Sequence, residues 1–414
     1  MRLTLPQLEH AHPGALLSTL RGLTPPPNRT AGVEPADRHS SLAASIATSI
    51  RHLTPEQQEA LTVLALLHSV VDEDVLAVFS QHGAAPEQFR GLGKEEWRST
   101  LERAVELGLL DPIGASMYDI HPALPAYLAS RWQDRHPDAY EQQRTQAADA
   151  VLAAHAALGD WLTAQLQGAN VGTAVAILDW QRRNLGAQLG YALDHGRWAD
   201  ARAIADPLVR YWDLRGLTSE SRGWVERVRA LLEDPSGTAP ELSTAKGSLW
   251  LFLVGADASQ RAEAGLLDEA ERTYLAILAA QLRQGAQTED RFNIATTYHQ
   301  LGVVAQGRGR LDEAEDWYRK ALTIKEELGN RPGTATTYHQ LGMIAQTRGQ
   351  LDEAEDWYRK ALTFSEDLQT PSYVAITHAQ LGRLAAERGD TRLALIEAVR
   401  CVSLFDKIPH LFVR

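Results

Sequence analysis

A self-repeat constrains this chain more than any other feature of its sequence. Residues 295–328 and 335–368 lie 40 positions apart and agree at 27 of 34 positions. Both carry the run ATTYHQLG, then AQ, then a glycine, then LDEAEDWYRKALT. In a helical sequence such a period predicts stacked two-helix units, because one unit alone cannot bury its apolar face.

The residues inside the unit supply the reasons. Gly302 and Ala314 lack bulk, so two helices can cross closely there, with Leu301, Tyr318 and Leu322 filling the space around the contact. Gly309 is placed to end the first helix in a left-handed conformation. Asp312 with Glu315 reads as an N-cap and capping-box pair opening the second helix. Arg319, Lys320 and Lys325 lie toward that helix's C-terminal end, where cations suit the dipole. The pattern recurs upstream as Gly265 to Glu271 with Tyr274, and downstream as Leu381-Gly382 with Gly389 and Ala394. Ala398 takes the aromatic position in the last unit, as expected of a terminal cap.

This spacing resembles the tetratricopeptide repeat. Tyr298, Leu301, Gly302 and Ala305 fall where that family's first helix carries Trp, Leu-Gly and Tyr, while Ala314, Tyr318 and Ala321 fall on its second. The period of 40 exceeds the usual length of about 34, as in the kinesin-light-chain-like variety. The resemblance implies a concave groove lined by first helices. It places Thr296, His299, Val303 and Gln306 there, beside Thr336, His339, Met343 and Gln346, with Ile376, Ala379 and Arg383 in the last unit. Hydroxyls, imidazoles, amides and a few apolar side chains suit an extended or helical peptide. The clustered Lys or Arg of a carboxylate clamp are missing, so binding of chaperone tails is not expected. The aligned His299 and His339 are explained by duplication of one histidine, since metal ligands need further partners and a fixed outer shell. Trp317 and Trp357 read as packing residues.

The N-terminal half reads differently. Ser41 opens an apolar-periodic helix through Ile50. Thr54-Pro55-Glu56-Gln57 is an N-cap, a helix-start proline and a capping-box glutamine ahead of Ala60 to Leu67. Val71 to Phe79 and Glu95 to Leu110 are expected as further helices. Leu110-Asp111-Pro112 and Met117 to Ile120 can pair across Gly114 as a wing, and His121-Pro122 opens a helix through Trp132. This order resembles the winged-helix domain of STAND signalling ATPases of the NB-ARC type. In that family the histidine closing Tyr118-Asp119-Ile120-His121-Pro122 contacts the diphosphate of a bound nucleotide. The resemblance gives His121 that role when an ATPase domain is supplied; the alternative is that His121 only caps the next helix. His12-Pro13-Gly14-Ala15-Leu16-Leu17 is similar to the family's GLPL segment. Asp179 to Leu185, Gly196-Arg197-Trp198 and Tyr211 to Gly216 resemble the helical bridge into the repeats of bacterial members.

No GxxxxGK[ST] loop occurs in the sequence: Gly93-Lys94 is followed by Glu95. Nucleotide hydrolysis needs that phosphate cradle and its lysine. The chain is therefore expected to correspond to the regulatory and sensor half of such a protein, with Pro25-Pro26-Pro27 through Ser40 as a linker. The expected fold is all-α: a winged-helix-like domain followed by a right-handed TPR superhelix. Its segments are 1–40, an N-terminal segment and linker; 41–137, the winged helix; 138–240, a helical bridge; and 241–414, the array.

Charge and composition limit the functions. The net charge of −12 opposes nonspecific attraction to nucleic acid or anionic lipid. Residues 41–135 alone carry seven Arg or Lys against thirteen Asp or Glu, and the candidate recognition helix sets Glu95, Glu96, Glu102 and Glu106 against Lys94, Arg98 and Arg103. Nucleic acid is thus not an expected partner. The single cysteine, Cys401, suits a reducing cytoplasm and is expected as a buried, inert thiol in the run Val399 to Phe405. The first residues lack the apolar core of a signal peptide, and Leu61 to Val71 is too short to span a bilayer. No HExxH or GxSxG motif is present, and His10 and His12 stand near the terminus. No catalytic residue, metal or cofactor is expected. The function indicated is a protein-interaction and sensing module whose groove takes a protein or peptide, with a separate ATPase domain as a further partner. A DNA-binding regulator with a repeat effector domain and an inert remnant of a larger ATPase remain the alternatives.

Overall fold

The computed structural model describes residues 35–114, 116–168, 170–284, 288–368 and 370–405. The stretches His12 to Leu17 and Pro25 to Pro27, and His10, lie outside the described residues. The chain forms two compact units, Met1–Leu217 and Thr218–Arg414.

The first unit opens with α1 (Pro35–Ile50), so the stretch expected as linker up to Ser40 is helical from Pro35 onward. Thr54 caps α2 (Pro55–Ala60) as its sequence indicates: its Oγ1 accepts the Gln57 N–H at 3.2 Å, and Gln57 Oε1 accepts the Thr54 N–H at 3.1 Å. The helix continues as a 3-10 turn (Leu61–Leu66) that buries Leu61, Val63 and Leu64 completely. Then come β1 (Val70–Asp72), α3 (Glu73–Gln81), α4 (Lys94–Glu106), β2 (Leu110–Pro112), β3 (Met117–Ile120) and α5 (Leu124–Arg135).

The three strands form one antiparallel sheet in the order β1-β3-β2. Val71 pairs with Tyr118 across β1 and β3, and Pro112 pairs with Tyr118 across β2 and β3. The hairpin expected around Gly114 is present. The expected helix from Val71 is not: its first residues are strand β1, and α3 begins at Glu73. Two β-branched valines suit a buried strand, and a neighbouring strand supplies their backbone partners. The expected helix to Leu110 stops at Glu106, because Gly108 turns the chain with φ 69° and Leu110 enters β2.

Aromatic side chains build the core of this unit. Phe89 packs 5.5 Å from Phe79 and 5.4 Å from Trp132, which meets Tyr140 edge-on at 5.7 Å. The buried indoles keep their hydrogen bonds: Trp97 Nε1 donates to Ser80 Oγ and Trp132 Nε1 to Gln143 Oε1, both at 3.0 Å. Helices α6 (Tyr140–Gln167), α7 (Val171–Asp194) and α8 (Trp198–Arg215) complete the unit. Gly159 lets α6 approach α8 closely, since a Cβ there would lie 2.4 Å from the Ala203 carbonyl oxygen.

The second unit contains α9 (Thr218–Leu232), α10 (Ala245–Glu263), α11 (Leu267–Arg283), α12 (Thr288–Gly307), α13 (Leu311–Glu327), α14 (Arg331–Thr347), α15 (Leu351–Asp367), α16 (Pro371–Glu387) and α17 (Thr391–Phe405). The last eight stack as four hairpins. Their first helices end at Gly265, Gly309, Gly349 and Gly389, with φ of 78°, 73°, 75° and 81°. These are the left-handed stops expected from the sequence. At the crossings a Cβ on Gly302 would lie 2.6 Å from the Tyr318 ring, and one on Gly342 2.7 Å from Tyr358. The glycine in the one helix is thus the socket for the tyrosine in the other.

Candidate functional site: the first-helix face of the repeats

Inter-repeat ion pairs fix how neighbouring hairpins stack. Arg348, after α14, reaches both Asp312 and Glu315 in the first turns of α13. Arg388 makes the same fork to Asp352 and Glu355, and Arg308 to Asp268 and Glu271. This corrects the capping-box reading of Asp312 and Glu315. Helix α13 has Arg310 at its N-cap with no side-chain hydrogen bond there, and the two acids serve the next repeat instead.

Lys325 stands in the last turn of α13, as its sequence position indicates, but its charge is used across the helix boundary. Its Nζ donates to Thr337 Oγ1 on α14 at 2.9 Å, and the side chain is buried. Thr337 donates in turn to the Gly333 carbonyl at 2.8 Å, which leaves its lone pairs for Lys325 and for His299 Nδ1 at 3.2 Å. Desolvation lowers the Lys325 pKa to about 8. Burial, with the Lys325 charge beside it, lowers that of His299 to about 3.

The expected groove residues fall into three sets. His299 is buried and packs on Tyr318 at 5.2 Å; His339, half-buried, packs on Tyr358 at 5.4 Å, and burial lowers its pKa. The pair thus faces the hairpin interior more than the solvent. Gln306 and Gln346 accept the hydroxyls of Tyr318 and Tyr358, each at 2.9 Å, and Gln346 also donates to Glu387. Thr296, Ile376, Ala379 and Arg383 are exposed, while Val303, Thr336 and Met343 are half-exposed. These seven recur in register on α12, α14 and α16, and present a surface with one cation and no acid. Phe292 and Tyr373, 46% and 49% exposed, extend it. Comparing the two near-identical copies does not reveal them, because both stand outside the shared 34 residues.

Trp317 and Trp357 are half-buried packing residues, stacked on Tyr298 at 5.5 Å and on Tyr338 at 5.6 Å. Cys401 is half-buried rather than enclosed, because its neighbours Val399 and Val402 are 57% and 59% exposed; partial burial still raises its pKa. His121 is exposed, and its Nδ1 accepts the Ala123 N–H at 3.2 Å ahead of α5. Among the described residues no group of three or more His, Cys, Asp or Glu is placed to hold a metal, and no helix is long and apolar enough to cross a membrane.

This architecture defines a class, the helical-repeat solenoids. The tetratricopeptide-repeat profile matches residues 258–327, 293–367 and 334–407, so the described hairpins of this stretch are TPR repeats. No curated protein matches the sequence significantly. Among solved structures, BtubC (BKLC) of P. vanneervenii is 17% identical, with 64% of this chain and 94% of that one covered at a TM-score of 0.37. A putative kinesin light chain of Podosopora anserina with nearly identical TPR-like repeats is 18% identical, with 49% and 94% covered at 0.39. A STAND protein with a TPR sensor from Pyrococcus horikoshii is 12% identical, with 98% and 66% covered at 0.30.

Proposed function

We propose that this protein is an interaction and sensing module whose first-helix face binds a partner polypeptide. The observation that carries this reading is the division of labour among the side chains of the array. Arg308, Arg348, Arg388, Gln306 and Gln346 are engaged within the array, whereas Thr296, Thr336, Met343, Ile376 and Arg383 remain at the surface. The Thr296 and Thr336 hydroxyls each donate to the carbonyl four residues back at 3.0 Å, which leaves their methyl groups and oxygen lone pairs outward, and such a largely apolar surface suits a helix or extended segment laid along it.

Residues 41–137 are proposed as a winged-helix-like domain, supported by the helix order and the β1-β3-β2 sheet. We assign it docking to a separate ATPase domain, with Nε2 of His121 available to a nucleotide diphosphate there. DNA readout is not favoured. On α4, Lys94 pairs with Asp74, Arg98 with Glu73 and Glu95, and Arg103 with Glu106, so each cation has an acid beside it.

The test is selection from a random-peptide display library on the full chain. Peptides enriched on the native protein are expected to lose binding to a Thr336→Arg/Ile376→Arg variant that keeps its helical circular dichroism. Enrichment of none, or of peptides indifferent to the variant, would remove this reading.

A further inference from the structure

The Tyr–Trp stacks of the inner repeats have no counterpart in the last one. In the third hairpin Tyr338 lies on Trp357 at 5.6 Å and meets Phe364 at 5.6 Å. Lys360 sits 4.2 Å over the Trp357 ring, Arg331 5.3 Å over Phe364, and Tyr338 Oη donates to Glu326. Forty residues on, the same positions hold His378 for the tyrosine, Glu397 for the tryptophan, Leu404 for the phenylalanine and Pro371 for the arginine. Every one of these replacements is smaller. Glu366 and Arg400 remain in the register of Glu326 and Lys360.

The consequence is a cavity of about 510 Å³ between α16 and α17, lined by Glu366, Val374, His378, Arg400 and Leu404 among others. Glu397 has turned from the ring position to hold His378 Nδ1 at 2.5 Å and Arg400 at 2.8 Å, with both members of the His–Glu pair buried. The rings are lost, while the carboxylate that accepts a tyrosine hydroxyl in the previous repeat and a cation able to lie over an aromatic face are kept.

We infer that this cavity receives the phenol ring of a tyrosine presented by a partner polypeptide. Val374 and Leu404 form the apolar walls, Glu366 accepts the hydroxyl as Glu326 does for Tyr338, and Arg400 faces the ring. The site is separate from the first-helix surface proposed above, so either can fail without the other.

The test is saturation-transfer NMR on the full chain with three blocked amides: N-acetyl-tyrosinamide, N-acetyl-phenylalaninamide and N-acetyl-leucinamide. The tyrosine amide is expected to bind on the order of tenfold more tightly than the phenylalanine amide, the lower end of the scale for one hydrogen bond to a charged acceptor. The leucine amide should bind weakest. Glu366→Ala, at an exposed position, should bring the tyrosine amide to the level of phenylalanine. The double variant His378→Tyr/Glu397→Trp rebuilds the inner stack and should abolish binding of all three. No transfer to the tyrosine amide, equal affinities for the three, or a Glu366→Ala variant that still prefers tyrosine would overturn the proposal. Tighter binding of free tyrosine than of its blocked amide would overturn the polypeptide source and assign the cavity to the amino acid.

Discussion

Lys325 on α13 and Thr337 on α14 are joined through 2.9 Å in the interior of the array, and no carboxylate pairs with the lysine among the described residues. An ammonium group is rarely buried so deeply on a hydroxyl alone. Its pKa, lowered to about 8 by desolvation, lies below its ordinary value of 10.5, so the folded state holds the proton less tightly than the unfolded chain. The resulting penalty is complete below about pH 8 and fades as the pH rises toward 10.5. Stability should therefore increase between those limits. Lys325→Met keeps the aliphatic stem without the charge and should stabilise the array by roughly 1–3 kcal/mol at pH 7, at about 1.4 kcal/mol per pKa unit. Urea midpoints of both proteins at pH 7 and 10 check this, and a gap that does not narrow at the higher pH would contradict the assignment.

The acid limb has a different origin. His155 in the first unit is fully enclosed, with Nδ1 on the Val151 carbonyl at 2.8 Å and Nε2 without a partner, and burial lowers its pKa to about 4. His299 is lowered to about 3. Both folded values lie below the ordinary 6.5, so on acidification the unfolded chain takes up protons that the folded state refuses. Stability should fall as the pH drops from about 6.5 toward 4, by roughly 2 kcal/mol per histidine near pH 4.5. His155→Gln and His299→Gln should each flatten the pH dependence of the urea midpoint in that window. The transition of the first unit should follow His155 and that of the repeats His299.

Asn184 closes the open edge of the sheet. Its Oδ1 accepts the His68 N–H at 2.8 Å, and its Nδ2 donates to the Val70 carbonyl at 2.6 Å and to Gln181 Oε1 at 2.9 Å. The side-chain amide thus stands where a further strand would pair with β1. Asn184→Leu removes all three bonds and leaves two backbone groups unmet, a cost of roughly 1–3 kcal/mol. Amide exchange at His68 should accelerate well beyond the change at Tyr118, which bonds within the sheet. Unchanged exchange at His68 would show that the edge is held by packing alone.

Sequence reasoning reached the repeat because its logic is local. Gly302 with Tyr318 and Gly309 at the helix end are short-range relationships, repeated until they could be aligned. Three other relationships were beyond that reach. Asp312 and Glu315 carry the spacing of a capping box, but their arginine arrives from the next hairpin, 36 and 33 residues on. His299 follows Thr296 by less than a full turn, enough to rotate it from the surface onto Tyr318. Strand β1 has three residues, all buried, a run too short to show the alternation that separates strand from helix. Motif spacing also singled out Asp179 to Leu185 without indicating that Asn184 within it completes the sheet edge.

The two kinds of glycine in the array should respond differently to a methyl group. At Gly342 the backbone is helical and alanine has the better propensity, but its Cβ would lie 2.7 Å from two Tyr358 ring atoms. That ring cannot withdraw, because its hydroxyl is held by Gln346 at 2.9 Å and its body is completely buried. Gly342→Ala should therefore separate α14 from α15 and cost roughly 1–3 kcal/mol, the range for overpacking a filled core. At Gly349 there is open space around the position, and only the φ of 75° opposes substitution. Gly349→Ala should cost roughly 1–2 kcal/mol through backbone strain alone. A compensating change tells the two apart. Tyr358→Leu, itself destabilising, makes room beside residue 342 and should rescue Gly342→Ala in a double-mutant cycle, with a coupling of roughly 1 kcal/mol or more. The same substitution should leave the cost of Gly349→Ala unchanged. Thermal melts of the three single and two double variants against the parent protein measure both couplings, and equal couplings would mean that the tyrosine socket does not set the helix crossing.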